Sequence, residues 1–343
     1  MKDGQNRDEE IYALYLKETI NEFEAENALN EEGQKRIIMK GKHTARITTV
    51  MISLAVILLI CPVLYLLSYM YYSQDSRADR LIDQAIKTIE TTVPNSTVDR
   101  SKIDTDIGLF TLKTSFDVLS KIGGDVYKTR HYNIEFMMSS ADVPKIEASY
   151  DMPLKPQDNF ESTMLFHPKA TSKTNLYSGW NTIRDLPDGT ITEVYMSFSE
   201  ILTQEQVEKM LPASLELRWL AVDTGIEGKQ NDEEGFPVIP IGFPVQPDDH
   251  LWATYSGEEE HRAVFSNVLK ELADSQKNVD TITDKRSQNQ TLHLTERLRF
   301  IEKNGIGIYG AVVTGPTKDF AELRNNEQIE GIKIGEVKLW NYH

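Results

Sequence analysis

The residues best equipped for chemistry lie in "PDDHLWATYSGEEEHRAV", where Asp248, Asp249, His250, Glu258, Glu259, Glu260 and His261 are all capable metal ligands. A metal centre of the common kinds needs two histidines one helical turn apart beside a glutamate, or a knot of thiolates and imidazoles. The spacing here fits neither, and Cys61 is the single cysteine of the chain. The stretch therefore reads as a solvated acidic loop. "WLAVDTG" offers a second acid, Asp223, just past a strand. Aspartic proteases use this same triplet, but they need two copies to share a proton, and the chain has one. Asp223 is expected to cap a turn in which Gly225 supplies a positive φ, with Trp219 and with Glu193 of "TEVYMSF" as further residues of a structural motif. Glycines in "GLFTLK", "KIGGDVYK" and "NGIGIYG" do not form a phosphate loop or a dinucleotide fingerprint. No catalytic residue, cofactor or metal is expected. "NST" at Asn95 and "NQT" at Asn289 have the form of glycosylation triplets, which also arise by chance.

With so little catalytic chemistry in view, the elements themselves carry the information. Residues 47 to 72, "ITTVMISLAVILLICPVLYLLSYMYY", contain no charge in a chain whose net charge is −16. As a helix these residues reach about 39 Å, enough to cross a hydrocarbon core of about 30 Å with tilt. A cleaved signal peptide competes with this reading, but its apolar region is ~7–15 residues long and lies nearer the start. "LLIC" lacks the small residue a lipoprotein signal needs before its cysteine, so Cys61 and Pro62 read instead as a kink in a spanning helix. Five basic residues (Lys35, Arg36, Lys40, Lys42, Arg46) and no acid lie between Gly33 and Arg46. That asymmetry predicts a cytoplasmic N-terminus and an extracytoplasmic C-terminus, with Tyr65, Tyr69, Tyr71 and Tyr72 at the outer headgroup level.

Residues 1 to 46 form a short tail, acidic first and basic at the membrane, where anionic lipid would hold the basic half. The acidic half contains "EIYALYLKETINEFEAENAL". Tyr12, Leu16, Ile20 and Phe23 fall within a stripe of roughly 80° on a helix, with Tyr15 beside it. A short amphipathic helix is marginal alone in water, so its stripe has to be buried against something, and another protein is the obvious cover.

The 271 residues beyond the span carry a net charge of −14, which disfavours direct nucleic acid binding. Without disulfides they must be held by packing alone, and they are long enough for one large or two small cores. "DSRADRLIDQAIKTIETTVPN" reads as a helix, and "LFTLKTSF" and "VYKTRHYNIEFMM" around "GGD" as a strand, a turn and a strand. Residues 142 to 175 read as irregular. Further on, "GTITEVYMSF" is a strand and "TQEQVEKML" a helix with a capping box at Thr203 and Gln206. "LELRWLAVDTG" is a strand, and "HRAVFSNVLKEL" and "LTERLRFIEKNG" are helices. "IGIYGAVVTG" is a strand, "PTKDFAELRN" a helix with Pro316 at its start, and "IKIGEVKLW" a strand. The expected fold is α+β: a cytoplasmic amphipathic helix, one transmembrane helix, and an extracytoplasmic mixed or antiparallel sheet with helices on one face. The expected divisions are 1–46, 47–72, a membrane-proximal region 73–175 and a C-terminal domain 176–343.

This order of elements resembles the membrane-anchored sigma factor regulators, the anti-sigma factors of Bacillus and relatives. The resemblance is carried by "GQKRIIMKGKHTARITTVMISLAVILLICPVLYLL" in the first part. In the last part it rests on "DGTITEVYMSFSEILTQEQVEKML", "LRWLAVDTG", "IGFP" and "IYGAVVTGPTKDFAEL". It implies a non-enzymatic protein whose tail sequesters an extracytoplasmic-function sigma factor from RNA polymerase and whose outer part governs release on an envelope signal. The contact residues expected are Tyr12, Tyr15, Leu16, Ile20 and Phe23, with Glu18 and Glu22 adding charge complementarity. A second small membrane protein is a further candidate partner, packing on a span that carries Ser53 and Ser68. The competing class is a bitopic envelope assembly or sensor protein whose tail only anchors it.

Overall fold

The structure is a computed structural model that describes residues 11–22, 31–149, 164–171, 178–229, 231, 237–245, 258–283 and 290–339. Two compact units divide the chain, Met1–Leu67 and Ser68–His343. The first holds helix α1, residues 11–22, and most of α2, Glu31–Ser73. The uncharged run lies wholly within α2, and its large side chains are exposed, as at Leu58 (65%) and Leu59 (71%). Among the described residues this is the one helix long and apolar enough to cross a membrane. So much unpacked apolar surface is unfavourable in water and at home in hydrocarbon. Pro62, where the kink is expected, lies inside α2, and the helix continues through it. The break comes later, where Asp75 and Ser76 turn left-handed at φ 53° and 51°. From there α3, Arg77–Thr92, starts in a new direction.

The second unit contains two sheets, both antiparallel throughout, so the mixed-sheet alternative is set aside. The first is built from β1 (Thr97–Val98), β2 (Asp104–Ile107), β3 (Thr111–Ile122), β4 (Asp125–Met137), β5 (Ser140–Ala141) and β6 (Lys145–Ala148). Its path is β1-β3-β4-β5, with β2 also on β3 and β6 also on β4. The pairing of β6 with Arg130–Asn133 gives order to part of the region read as irregular. In β3 the alternation of Leu112, Thr114, Phe116 and Val118 inward fixes the register, and Phe116 stacks on Tyr132 directly opposite. Gly123, at φ +61°, takes the first turn position that a type II′ hairpin reserves for glycine. Onto this face α3 lays Leu81, Ile82, Ala85, Ile86 and Ile89, spaced by one helical turn.

After α4 (Ser178–Asp185) comes the second sheet: β7 (Thr190–Leu202), β8 (Glu216–Val222), β9 (Gly242–Pro244), β10 (Ile308–Pro316) and β11 (Ile329–Leu339), in the order β11-β7-β10-β8-β9. Helices α5 (Gln204–Met210), α6 (Glu258–Asp274), α7 (Gln276–Ile282) and α8 (Leu294–Asn304) connect the strands. The capping box of α5 forms as the sequence requires: Thr203 Oγ1 accepts from Gln206 N–H and Gln206 Oε1 from Thr203 N–H. Val194, Met196, Phe198, Leu220, Val222 and Val313 pack against Phe265, Leu269, Leu294 and Ile301, which places the helices on one face. The "PTKDFAELRN" segment departs from expectation. It forms tight 3-10 turns over Thr317–Asn325, and Pro316 ends β10 and caps them instead of opening an α-helix.

Candidate functional site

Three places in the molecule answer to the residues singled out by the sequence: the tail helix, the seam where α3 and the first sheet meet the second sheet, and a turn beyond β8. In α1, Tyr12, Tyr15, Leu16 and Ile20 are 70, 68, 47 and 49% exposed, and Glu18 and Glu22 are exposed beside them. Phe23 lies outside the described residues. The spacing by three and four collects these apolar groups on one side, with Glu18 and Glu22 one turn apart on the flank next to Tyr15. Ile11, 49% exposed, lies one turn before Tyr15 on the same flank as the two glutamates. A helix presenting a stripe of two tyrosines, a leucine and an isoleucine with a carboxylate border suits a groove that is apolar at its floor and basic at its rim.

At the seam, Trp219 is wholly buried and its indole Nε1–H donates to the Glu90 carbonyl at the end of α3 (3.1 Å). A bulge in β8 between Leu217 and Trp219 turns Trp219 away from the helical face, toward α3. Glu193, 4% exposed, accepts from the Asn95 amide at 2.7 Å. Asn95 also reaches Ser120 Oγ (2.8 Å) and the Lys121 carbonyl (3.1 Å), and its oxygen accepts from Arg218 Nε (3.2 Å). Around it Lys121 and Arg218 converge on Glu216 Oε1, each at 3.0 Å, Gly123 N–H donates to Thr314 Oγ1 (2.9 Å), and Lys338 pairs with Asp125. The hairpin turn of the first sheet is thereby held in the second. Asn95, which in the sequence stands out only as the start of a glycosylation-like triplet, is 3% exposed, left-handed at φ 51° and bonded across the seam. No local signal marks such a residue, since its partners are contributed by distant segments.

Asp223 and Gly225 form a separate turn beyond the end of β8. Asp223 Oδ1 accepts from Gly225 N–H at 2.9 Å, and Gly225 sits at φ +91°, the arrangement expected of them. His167 Nδ1 accepts from Lys169 N–H (3.2 Å), which leaves Nε2 to carry the ring proton 3.4 Å from Asp223 Oδ1. Burial alone would raise the Asp223 carboxyl, but His167 and the Gly225 N–H outweigh it and hold the group below its ordinary range. A depressed folded-state pKa means that this stabilisation is complete above the unfolded carboxylate range and is lost as pH falls through the folded value. Asp223→Asn is therefore expected to flatten the fall in Tm below about pH 4, followed by thermal melts in acid buffers.

Glu227 and Arg297 make a fourth constellation, one that sequence reading missed. Arg297 Nη1 donates to Glu227 Oε1 at 2.7 Å and to Thr224 Oγ1 at 3.1 Å, with both ionic side chains at most 3% exposed. Its Nε and Nη2 donate to the carbonyls of Leu292 (2.7 Å) and Ile239 (2.9 Å). The arrangement fastens three loops and supplies no nucleophile or open coordination position. Of the acidic cluster, residues 248–250 lie outside the described residues, and His261 is buried with its Nδ1 against the Gln204 amide at 3.0 Å. Among the described residues no three His, Cys, Asp or Glu side chains gather where an ion could be held.

The sigma factor regulator N-terminal family model matches residues 35–127, and the sigma factor regulator C-terminal model matches residues 183–336. The probable anti-sigma-M factor YhdL of Bacillus subtilis (strain 168) is 26% identical in an alignment covering 99% of this chain and 96% of that protein. No solved structure matches. Both family descriptions are of regulators, not of enzymes. Matched from its membrane helix through the first three strands of the first sheet by one and across its second sheet by the other, the chain belongs to the sigma factor regulator family.

Proposed function

We propose that this membrane-anchored regulator is an anti-sigma factor with a single membrane crossing, its N-terminus cytoplasmic and its C-terminus outside. The α1 stripe of Tyr12, Tyr15, Leu16 and Ile20, with Phe23 next in register, covers a polymerase-binding surface of an extracytoplasmic-function sigma factor, and Glu18 and Glu22 answer its basic residues. The observation that carries this reading is an amphipathic helix left wholly exposed, residues 11–22, at one end of a chain of this family. The similarity to a probable anti-sigma-M factor extends along 99% of the chain and so takes in the tail, although the N-terminal family match begins at residue 35. Five basic residues ahead of the span and none of the acids there support the orientation. Residues 73–175 and 176–343 form the part that senses an envelope signal and alters what the tail retains, and a second small membrane protein on α2 is a further partner.

The test is direct. Residues 1–46, produced without the membrane helix, are expected to co-purify with an extracytoplasmic-function sigma factor, and deletion of the whole protein to raise the transcripts of one sigma regulon. A tail that captures no sigma factor, together with an unchanged transcript profile, would favour an envelope assembly protein instead.

A further inference from the structure

At the end of the first sheet farthest from Gly123, two turns meet the last turns of α2. The β2–β3 turn exposes Leu109 (51%), and the end of β4 and the turn after it expose Met137 (66%) and Met138 (41%). Both turns are held by the helix: Ser68 Oγ accepts from Phe110 N–H at 2.9 Å, and the Tyr72 hydroxyl donates to the carbonyls of Phe110 (2.9 Å) and Phe136 (3.2 Å). Tyr71 adds a hydroxyl contact to Ser139 Oγ at 2.7 Å, and Met138 N–H donates to the Phe110 carbonyl at 2.9 Å. Phe110 and Met138 both hold positive φ, 56° and 57°, which bulky side chains adopt only when their surroundings enforce it. The turns are thus fixed at the level of residues 68–72 along α2.

That level has a meaning in a membrane. From Ile47, about 20 residues of helix span a hydrocarbon core of about 30 Å, so Ser68–Tyr72 fall at its outer boundary. Exposed leucine and methionine side chains set at that boundary lose water and gain acyl-chain and glycerol contacts, and Tyr71, with the Arg77 guanidinium 4.1 Å above its ring, suits the headgroup layer. We infer that Leu109, Met137 and Met138 are a membrane-contact surface, inserted into the outer leaflet interface beside α2. The occupant is phospholipid, because the surface is continuous with the helix turn that leaves the bilayer. The sheet then rests on the membrane at two turns besides the helix itself. The inference rests on α2 crossing the membrane, and its test separates the two.

Full-length protein in phosphatidylcholine–phosphatidylglycerol vesicles would carry an environment-sensitive fluorophore on one cysteine at a time. The native Cys61 serves one arm, and Leu109→Cys, Met137→Cys and Val126→Cys in a Cys61→Ser chain serve the others. Val126 is exposed and apolar too (57%), but it sits at the far end of the sheet, roughly 35 Å away along β3 and β4. Labels at 109 and 137 are expected to emit to the blue of the label at 126, to be quenched by nitroxide placed near the lipid headgroup, and to be shielded from aqueous iodide. If they are as open to iodide as position 126 while Cys61 is quenched by deep nitroxide, the helix crosses and the contact surface does not exist. If Cys61 escapes deep nitroxide as well, the crossing fails and the inference with it.

Discussion

Arg297→Met is expected to destabilise the second unit by about 3–5 kcal/mol, the largest loss anticipated from any single substitution outside the apolar core. The substitution leaves the Glu227 carboxylate buried without its counter-ion, and removes the donors that occupy the carbonyls of Leu292 and Ile239. An uncompensated buried charge costs far more than the net worth of the pair, because attraction between the partners was offsetting the loss of water by both. For a unit of this size the fall in Tm is on the order of 10 °C, read by circular dichroism on full-length protein in detergent. The double variant Arg297→Met with Glu227→Leu tests the cause. It removes both charges and is expected to recover much of the lost stability. A single variant as stable as the parent would show that the pair contributes nothing beyond packing.

The second large effect concerns function. In the proposed reading, Leu16→Asp with Ile20→Asp places two carboxylates in the middle of the stripe that covers the sigma factor. Anchors of this kind contribute about 2 kcal/mol each, so capture should weaken by roughly three orders of magnitude, measured by co-purification and by binding of the tail to the purified sigma factor. Neither residue belongs to α2 or to the second unit, so the variant should still reach the membrane fraction and melt normally. Glu18→Lys with Glu22→Lys is expected to act differently, slowing association and inverting its salt dependence, since rim charges govern encounter more than residence. Undiminished capture by the aspartate variant would exclude the stripe as the contact.

In the proposed reading, the seam bears on how an outer event reaches the tail. Asn95 stands where the end of α3, the β3–β4 hairpin and two strands of the second sheet come together, and it serves all of them at once. Such fully satisfied buried polar groups specify one arrangement of their elements, since any other leaves donors unpaired. Asn95 thereby ties the second sheet to α3 and to the hairpin in one arrangement.

What could be read from the sequence follows a physical division. Features decided by near neighbours were legible: the uncharged helix, the stripe of α1, the capping box at Thr203 and Gln206, the "GGD" hairpin, the turn at Asp223 and Gly225, and the apolar period of α3. Each depends on residues within a turn or two of one another, so spacing alone exposes it. The tertiary structure decided the remainder. Only folding could show that the pairing is antiparallel throughout two separate sheets, that β6 adds a strand in a segment that looked irregular, and that a left-handed break at Asp75 and Ser76 separates α2 from α3. It was folding too that joined Asn95 to Arg218, Glu227 to Arg297 and Tyr72 to Phe110. These contacts link residues 38 to 123 positions apart, and whether a polar side chain is buried with partners or left in water is set by which distant surface arrives beside it. Composition and period carry no record of that arrival.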